Sequence, residues 1–218
     1  MDKIPLIIYA LIGAANVLGH YLGYPEMVKF SKPMLMPALI FFVYSQAKGH
    51  VTLRILLLSL ALVFSFLGDL ALMQEDKMYF MLGLGAFLVT QSLYTFIYFK
   101  STFEKPEFRL MPLLPILTFT IFLLAILVPT VPDDMQIPIV VYALVITAMA
   151  CMARLRLGLT SNNSYQWVMM GSMLFVVSDS CIAIDKFFRP IPYDSVIIMG
   201  TYIIAQLLIV RGVLDHPE

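Results

Sequence analysis

The hydrophobic residues of this chain form long continuous runs, and its polar residues are concentrated in the short segments between them. A helix needs about 20 residues to cross the hydrocarbon core of a bilayer. Eight apolar runs approach that length, near residues 4–22, 33–47, 51–73, 78–99, 110–128, 137–153, 165–187 and 194–213, and the short second run is open to extension back toward Met27. These runs do not alternate between apolar and polar residues as barrel strands do, so the pattern predicts eight transmembrane helices.

The composition of the chain excludes the main alternatives to a membrane protein. Of its 218 residues, 61% are hydrophobic and only 13% are charged. A soluble protein of this size cannot bury so much apolar surface, and a disordered chain would be polar and poor in aromatic residues. The 14 basic and 14 acidic residues cancel and form no basic stripe for nucleic acid. We therefore predict an all-α integral membrane bundle, with residues 1–218 as a single transmembrane domain.

Lysine and arginine residues are distributed unevenly between the two ends of the predicted spans. Eight spans place both termini on one side, whose basic residues are Lys3, Lys48, Arg54, Lys100, Lys105, Arg109, Arg154, Arg156 and Arg211. The other side carries only Lys29, Lys32, Lys77, Lys186 and Arg189. Cytoplasmic segments of membrane proteins are enriched in basic residues. We therefore predict cytoplasmic N- and C-termini, in the cytoplasmic membrane of a bacterium or an ER-type membrane of a eukaryote.

Ionisable residues inside the predicted spans are few, and they come from different helices. Asp69 lies near the outer end of the third span, Asp179 lies in the seventh, and Lys32 lies at the outer start of the second. The predicted topology places all three in the extracytoplasmic half of the membrane. Because a charge inside a bilayer is costly, such residues are candidates for a functional site. The alternative is a structural role, in which the aspartates pair with Lys32 or Lys186 and hold helices together.

Further polar side chains occur in three of the predicted spans. Lys186 follows Asp179 by seven residues, so both lie on one face of the seventh span. Tyr202 and Gln206 are one helical turn apart in the eighth span, and Gln91 lies in the middle of the fourth. Each also has an ordinary interpretation. Lys186 can extend to lipid headgroups, Tyr202 can be an interfacial aromatic residue, and Gln91 can join two helices by a hydrogen bond.

Other sequence features narrow the chemistry. Two of the three histidines, His50 and His216, lie in segments predicted to be cytoplasmic, so we expect no metal site and no cofactor. The chain also has no Gly-x-Ser-x-Gly nucleophile motif. Two carboxylates in an apolar site can act as general acid and general base, and nearby lysines suit the phosphate of a lipid. The residues alone therefore predict a membrane lipid as substrate, without identifying which one.

Several short motifs occur in a characteristic order along the chain. Lys32-Pro33 and Gly68-Asp69 precede a block over residues 174–206, which contains Ser178-Asp179-Ser180, Lys186-Phe187, Pro192-Tyr193 and Tyr202 with Ala205-Gln206. This arrangement resembles the YhhN-like lysoplasmalogenase family of polytopic membrane proteins. The chain departs from the family pattern at Gln91, where many members have His, and at Asp185, where many have Asn. These departures concern substrate preference rather than reaction class.

The resemblance implies a hydrolase that cleaves the vinyl ether bond of a lysophospholipid, lysoplasmalogen. Its substrates are alkenyl-glycerophosphocholine and alkenyl-glycerophosphoethanolamine, and its products are a fatty aldehyde and the glycerophospho-headgroup compound. For this reaction we predict Asp69 and Asp179 as the acid/base pair. Lys32 and Lys186 are predicted to bind the phosphate. The groups predicted to position water or glycerol are Gln91, Tyr202 and Gln206. Two alternatives remain: a lipid-binding or proton-coupled transport protein that uses the same Asp and Lys residues, and a structural membrane protein.

Overall fold

The regular structure of the chain is entirely helical over the part that the structure describes. The computed structural model describes residues 3–47 and 49–216, so Lys48, one of the basic residues used to predict the orientation, lies outside it. Its helices are α1 (Ile4–Leu22), α2 (Pro25–Ala47), α3 (Leu53–Ala71), α4 (Lys77–Lys100), α5 (Leu114–Leu127), α6 (Asp133–Leu155), α7 (Asn162–Phe187) and α8 (Asp194–Leu214). Short 3₁₀ turns extend α5 to Met111–Thr130, and all eight spans are long and apolar enough to cross a membrane. The predicted all-α membrane fold is confirmed.

Helix α2 begins before its apolar run, as the shortness of that run indicates, and its start lies slightly beyond the expected extension toward Met27. Its first residue is Pro25, whereas the apolar run begins at Pro33. Proline is well suited to the first turn of a helix, because the N–H that it lacks would have no intrahelical partner there. Pro33 and Pro37 lie inside the helix, as membrane helices tolerate. Lys32 therefore lies within α2 and not at its start, and its side chain is half-buried.

The chain divides into two compact units. The first comprises residues 1–97, with α1, α2, α3 and most of α4, and the second comprises residues 98–218. Each unit is described on its own below. The single transmembrane domain that the sequence predicts over residues 1–218 stays a prediction.

In the first unit, α1 and α2 approach closely and share a buried hydrogen bond. A methyl group in place of the Gly19 hydrogen would lie 3.1 Å from Cγ2 of Val28, so glycine allows the two helices to meet. Asn16 Nδ2 donates to Ser31 Oγ at 3.0 Å, and Ser31 Oγ in turn donates to the Met27 carbonyl at 2.6 Å. Both side chains are buried. Small residues and interhelical hydrogen bonds are the usual means of packing helices in a membrane.

Helices α3 and α4 are joined in the same way. Ser65 Oγ donates to Thr90 Oγ1 at 3.3 Å, and Thr90 donates to the Ala61 carbonyl at 3.1 Å. The sequence also favours close packing at Gly83 and Gly85. Gly83 does pack closely, since an added Cβ would lie 2.8 Å from the Leu72 side chain. The interpretation of Gly85 is wrong, because a Cβ there would meet no described atom within 4 Å.

In the second unit, α7 and α8 pack with their backbones in near contact. An added Cβ at Gly171 would lie 2.9 Å from the Ala205 carbonyl oxygen, and one at Gly212 would lie 2.8 Å from the Val168 nitrogen. Ser178 Oγ also donates to the Ile198 carbonyl at 3.1 Å. Because these contacts involve backbone atoms, the two helices have little freedom to shift relative to each other.

A buried arginine lies near the ends of α6, α7 and α8 in this unit. Arg156 is 0% exposed, and its Nη2 donates to Ser164 Oγ at 2.9 Å. Ser164 Oγ donates onward to the Gly212 carbonyl at 2.5 Å. The guanidinium also lies 5.4 Å from the centroid of the Tyr98 ring. The sequence counts Arg156 with the basic residues of cytoplasmic segments, and the structure shows that its side chain is inside the protein.

Replacement of Gly212 by alanine is expected to destabilise the protein, because the added Cβ would lie 2.7 Å from Cγ2 of Val168. Overpacking of this kind costs about 1–3 kcal/mol. Gly200 in the same helix is the matched control, since a Cβ there would have no described atom within 4 Å. We expect the thermal unfolding midpoint in detergent to fall for Gly212→Ala and to stay or rise for Gly200→Ala. Equal midpoints would contradict the close packing of α7 against α8.

Candidate functional site

A cavity of about 640 Å³ lies in the first unit, where α1 ends, α2 begins and α3 ends. Its volume is within the range of small-molecule sites, roughly 300–1,000 Å³. Four charged side chains line it, Glu26, Lys29 and Lys32 from α2 and Glu75 from the turn after α3. Consecutive helices run in opposite directions. The ends of α1 and α3 and the start of α2 therefore lie at the same end of the spans. The cavity therefore lies at one end of the spans.

The charges around this cavity do not neutralise one another directly. Within residues 3–47 and 49–216, Glu26, Lys29, Lys32 and Glu75 form no ion pair. Lys32 is the most enclosed of the four and is half-buried, whereas the other three are exposed. The lining therefore presents two positive and two negative groups whose charges are available to a ligand.

Asp69 lies in α3, close to this cavity and on the side of it nearer the middle of the span. It is 3% exposed and precedes the lining residue Leu72 by three residues, about 4.5 Å along the helix axis. The preceding residue, Gly68, is held against α4, because an added Cβ would lie 2.7 Å from the Phe87 ring. The carboxylate interacts electrostatically with the buried Tyr9 of α1. The first unit therefore holds a buried carboxylate one helical turn from Lys32's cavity.

Gln91 lies in the same unit on the buried face of α4. It follows Phe87 by one helical turn and is fully buried. Its neighbour Thr90 makes the hydrogen bonds that join α4 to α3. Gln91 is therefore held in place by the packing of these helices, deeper in the span than the Gly68–Phe87 contact.

In the second unit, the carboxylate of Asp179 has a hydrogen-bond partner that the sequence motifs do not indicate. Tyr142 of α6 donates its hydroxyl to Oδ2 of Asp179 in α7. Both side chains are half-buried. Tyr142 lies within the sixth apolar run, where its mostly apolar ring does not stand out. The available signal is its hydroxyl, because polar groups inside a span tend to pair with others.

The other candidates of the second unit differ in their burial. Tyr202 is buried and packs edge-on against Phe175, with 5.7 Å between the ring centroids, and Gln206 is fully buried one turn further along α8. Lys186, in contrast, is exposed in the last turn of α7. Asp185 accepts a hydrogen bond from the Ile191 amide at 2.8 Å and so closes the turn between α7 and α8.

Each unit thus contributes one carboxylate of the predicted pair in a defined environment. The first unit brings Asp69 close to the cavity that Lys32 lines, and the second joins Asp179 to Tyr142. The pairing of Asp69 with Asp179 stays a prediction. Within the described ranges, no three His, Cys, Asp or Glu side chains are grouped closely enough to hold a metal ion.

These features define a polytopic helical membrane protein with a charged cavity at the end of its spans and carboxylates within them. The family model of the YhhN family matches residues 27–213, and the chain belongs to this family. The matched range contains all seven predicted site residues and Tyr142. The resemblance that the sequence motifs indicate is therefore confirmed.

Curated relatives of the chain carry the name lysoplasmalogenase. Lysoplasmalogenase TMEM86A of Bos taurus is 34% identical over 161 residues, which cover 72% of this chain and 65% of the relative. The human TMEM86A is 32% identical over 163 residues, with the same two shares. Lysoplasmalogenase TMEM86B of Homo sapiens is 33% identical over 190 residues, which cover 85% of this chain and 74% of the relative. The chain thus spans about 65% of the TMEM86A length, and no solved structure matches it.

Proposed function

We propose that this protein is a membrane lysoplasmalogenase, which hydrolyses the vinyl ether bond of a lysophospholipid. The observation that carries the proposal is the position of Asp69, buried one helical turn below a cavity that contains Lys32 and opens at the end of the spans. The names of the curated relatives support the same reaction. In a lysoplasmalogen, the glycerol backbone separates the vinyl ether from the phosphate. A phosphate at Lys32 therefore leaves the reacting bond deeper in the membrane, toward Asp69.

The proposed reaction needs only water and two carboxyl groups. A protonated carboxyl group donates its proton to the β-carbon of the vinyl ether, which gives an oxocarbenium ion. Water adds to that ion while a carboxylate takes up the proton that water loses, and a hemiacetal forms. The hemiacetal hydroxyl then gives its proton to a carboxylate, the bond to the glycerol oxygen breaks, that oxygen receives a proton from a carboxyl group, and the fatty aldehyde leaves. We propose Asp69 and Asp179 as this acid/base pair, without assigning the two roles.

The remaining polar residues have supporting roles in this proposal. Lys32, in the lining of the cavity, is the first phosphate ligand. Lys186, in the exposed last turn of α7, is proposed as the second. Gln91, Tyr202 and Gln206 are buried and have the amide and hydroxyl groups needed to position water or glycerol. Tyr142 fixes the orientation of the Asp179 carboxylate by its hydrogen bond, and so acts as a positioning residue.

We further propose that the cavity faces the extracytoplasmic side. It lies at the end of α1 remote from the N-terminus, and the excess of basic residues on the opposite side favours cytoplasmic termini. The substrate would then enter from the outer leaflet, with its alkenyl chain between helices and its headgroup at the cavity.

Removal of either catalytic carboxylate is expected to abolish most of the activity. The purified protein is given lysoplasmalogen, and fatty aldehyde release is measured. Asp69→Asn and Asp179→Asn should each lower kcat by about 10²–10⁴, the usual contribution of a general acid or base. Asp133→Asn, at an exposed aspartate that starts α6, is the control and should keep wild-type activity. Full activity in both site variants would overturn the acid/base assignment, and lipid translocation without aldehyde would favour a transport protein instead.

Loss of the Tyr142 hydroxyl should affect catalysis without affecting substrate binding or the fold. Tyr142→Phe removes the donor to Asp179 but keeps the ring. We expect kcat to fall about tenfold, the scale of one hydrogen bond to a charged group, while KM and the unfolding midpoint stay unchanged. Tyr165→Phe is the control, because the Tyr165 hydroxyl accepts only a long bond, 3.5 Å, from Arg154. A parallel loss of stability and activity in Tyr142→Phe would show a structural role instead.

The proposed orientation can be tested by labelling of single cysteines. In a background with Cys151→Ser and Cys181→Ser, a cysteine replaces Glu75 at the cavity end of α3 or His50 at the opposite end. An impermeant maleimide added to intact cells should label Glu75→Cys, whereas His50→Cys should react only after permeabilisation. The reverse pattern would place the cavity on the cytoplasmic side.

A further inference from the structure

The proposed function uses only Lys32 among the four charged residues around the cavity. Together the four form a pair of cations and a pair of anions. Lys29 and Lys32 are three residues apart and so share a face of α2. Two carboxylates also line the cavity, Glu26 from the first turn of α2 and Glu75 from the turn after α3. The described residues offer no ion-pair partner to any of these four groups.

A phospholipid headgroup with both a phosphate and an ammonium group matches this lining. The phosphate is an anion that lysine side chains bind as point charges. The ammonium group is a cation whose hydrogen bonds to carboxylates are stronger than those to neutral acceptors. The cavity supplies both kinds of ligand at the end of the spans, where headgroups lie, and its volume of about 640 Å³ suits a small molecule.

The chemistry of the lining distinguishes between the two common ammonium groups. A quaternary ammonium group such as choline has no N–H donor and is bound mainly by the faces of aromatic rings. A primary ammonium group such as ethanolamine has three N–H donors that require acceptors. Among the lining residues described, none is Phe, Tyr or Trp, and the only aromatic ring is that of His20. Glu26 and Glu75, in contrast, are acceptors for N–H donors.

We propose that this cavity is the headgroup subsite of the protein and that it selects ethanolamine over choline through Glu26 and Glu75. The proposal rests on the proposed function, because it takes the phosphate of a lysoplasmalogen to be bound at Lys32. It adds two specificity-determining residues, neither of which takes part in the chemistry. Since both carboxylates are exposed, each contributes on the scale of a surface ion pair.

Binding of lipids without a vinyl ether tests the subsite separately from the reaction. The probes are acyl lysophosphatidylethanolamine and lysophosphatidylcholine with the same chain, and the corresponding lysophosphatidic acid, which has no ammonium group. The wild-type protein should bind the ethanolamine lipid about fivefold more tightly than the choline lipid, the scale of one exposed ion pair. Glu26→Gln/Glu75→Gln should remove that preference and leave binding of the lysophosphatidic acid equal or tighter. Equal wild-type affinities for the two zwitterionic lipids, or an equal loss for all three probes, would overturn the proposal.

Aldehyde release from the matching lysoplasmalogens completes the test. In Glu26→Gln/Glu75→Gln, KM for the ethanolamine substrate should rise about fivefold while kcat stays within twofold. Glu107→Gln, at an exposed carboxylate that pairs with Arg109 at 2.9 Å, is the control and should change neither parameter. A protein that discriminates between the lipid probes but releases no aldehyde would refute the proposed hydrolase and support the subsite. A protein that releases aldehyde from both substrates with equal KM would refute the subsite alone.

Discussion

The spans of this protein are surrounded by hydrocarbon, and this environment determines how its helices are held together. Apolar side chains gain little by leaving lipid for the protein interior, so packing at small residues and interhelical hydrogen bonds must provide cohesion. The first unit relies on Gly19 and on the Asn16–Ser31 hydrogen bond for this purpose. In the second, Gly171 and Gly212 bring the backbones of α7 and α8 together.

The same environment makes the polar residues of the spans informative about function. Asn16, Ser65 and Thr90 are buried and engaged in hydrogen bonds between neighbouring helices, so their role is structural. Asp69 is different for two reasons. A carboxylate is far more costly to bury than an amide or a hydroxyl group. In addition, Asp69 is buried next to a charged cavity. The site that we propose therefore lies where an ionisable side chain is buried in a span beside a charged cavity.

The number and approximate bounds of the helices could be predicted from the sequence, because length and hydropathy are local properties. The start of α2 is less evident, since Glu26, Lys29 and Lys32 make its first turns polar although they are helical, and only the shortness of the apolar run indicates an extension. Asp69 and Asp179 stand out in their apolar runs, whereas Tyr142 does not, because a phenol ring is mostly apolar and only its hydroxyl matters here. The cavity was not predictable, since it forms only where the ends of three helices meet.

The buried arginine of the second unit has a consequence for the biosynthesis of the protein. Arg156 donates to Ser164, and Ser164 donates to the carbonyl of Gly212, which lies 48 residues further along the chain. During synthesis, α6 and α7 leave the ribosome before α8 does, so this chain of hydrogen bonds is incomplete until α8 has been inserted. Until α8 arrives, the Ser164 hydroxyl beside the Arg156 guanidinium thus lacks the carbonyl that accepts its hydrogen bond. Entry of α8 supplies the Gly212 carbonyl, so the enclosed position of the arginine depends on the arrival of that helix.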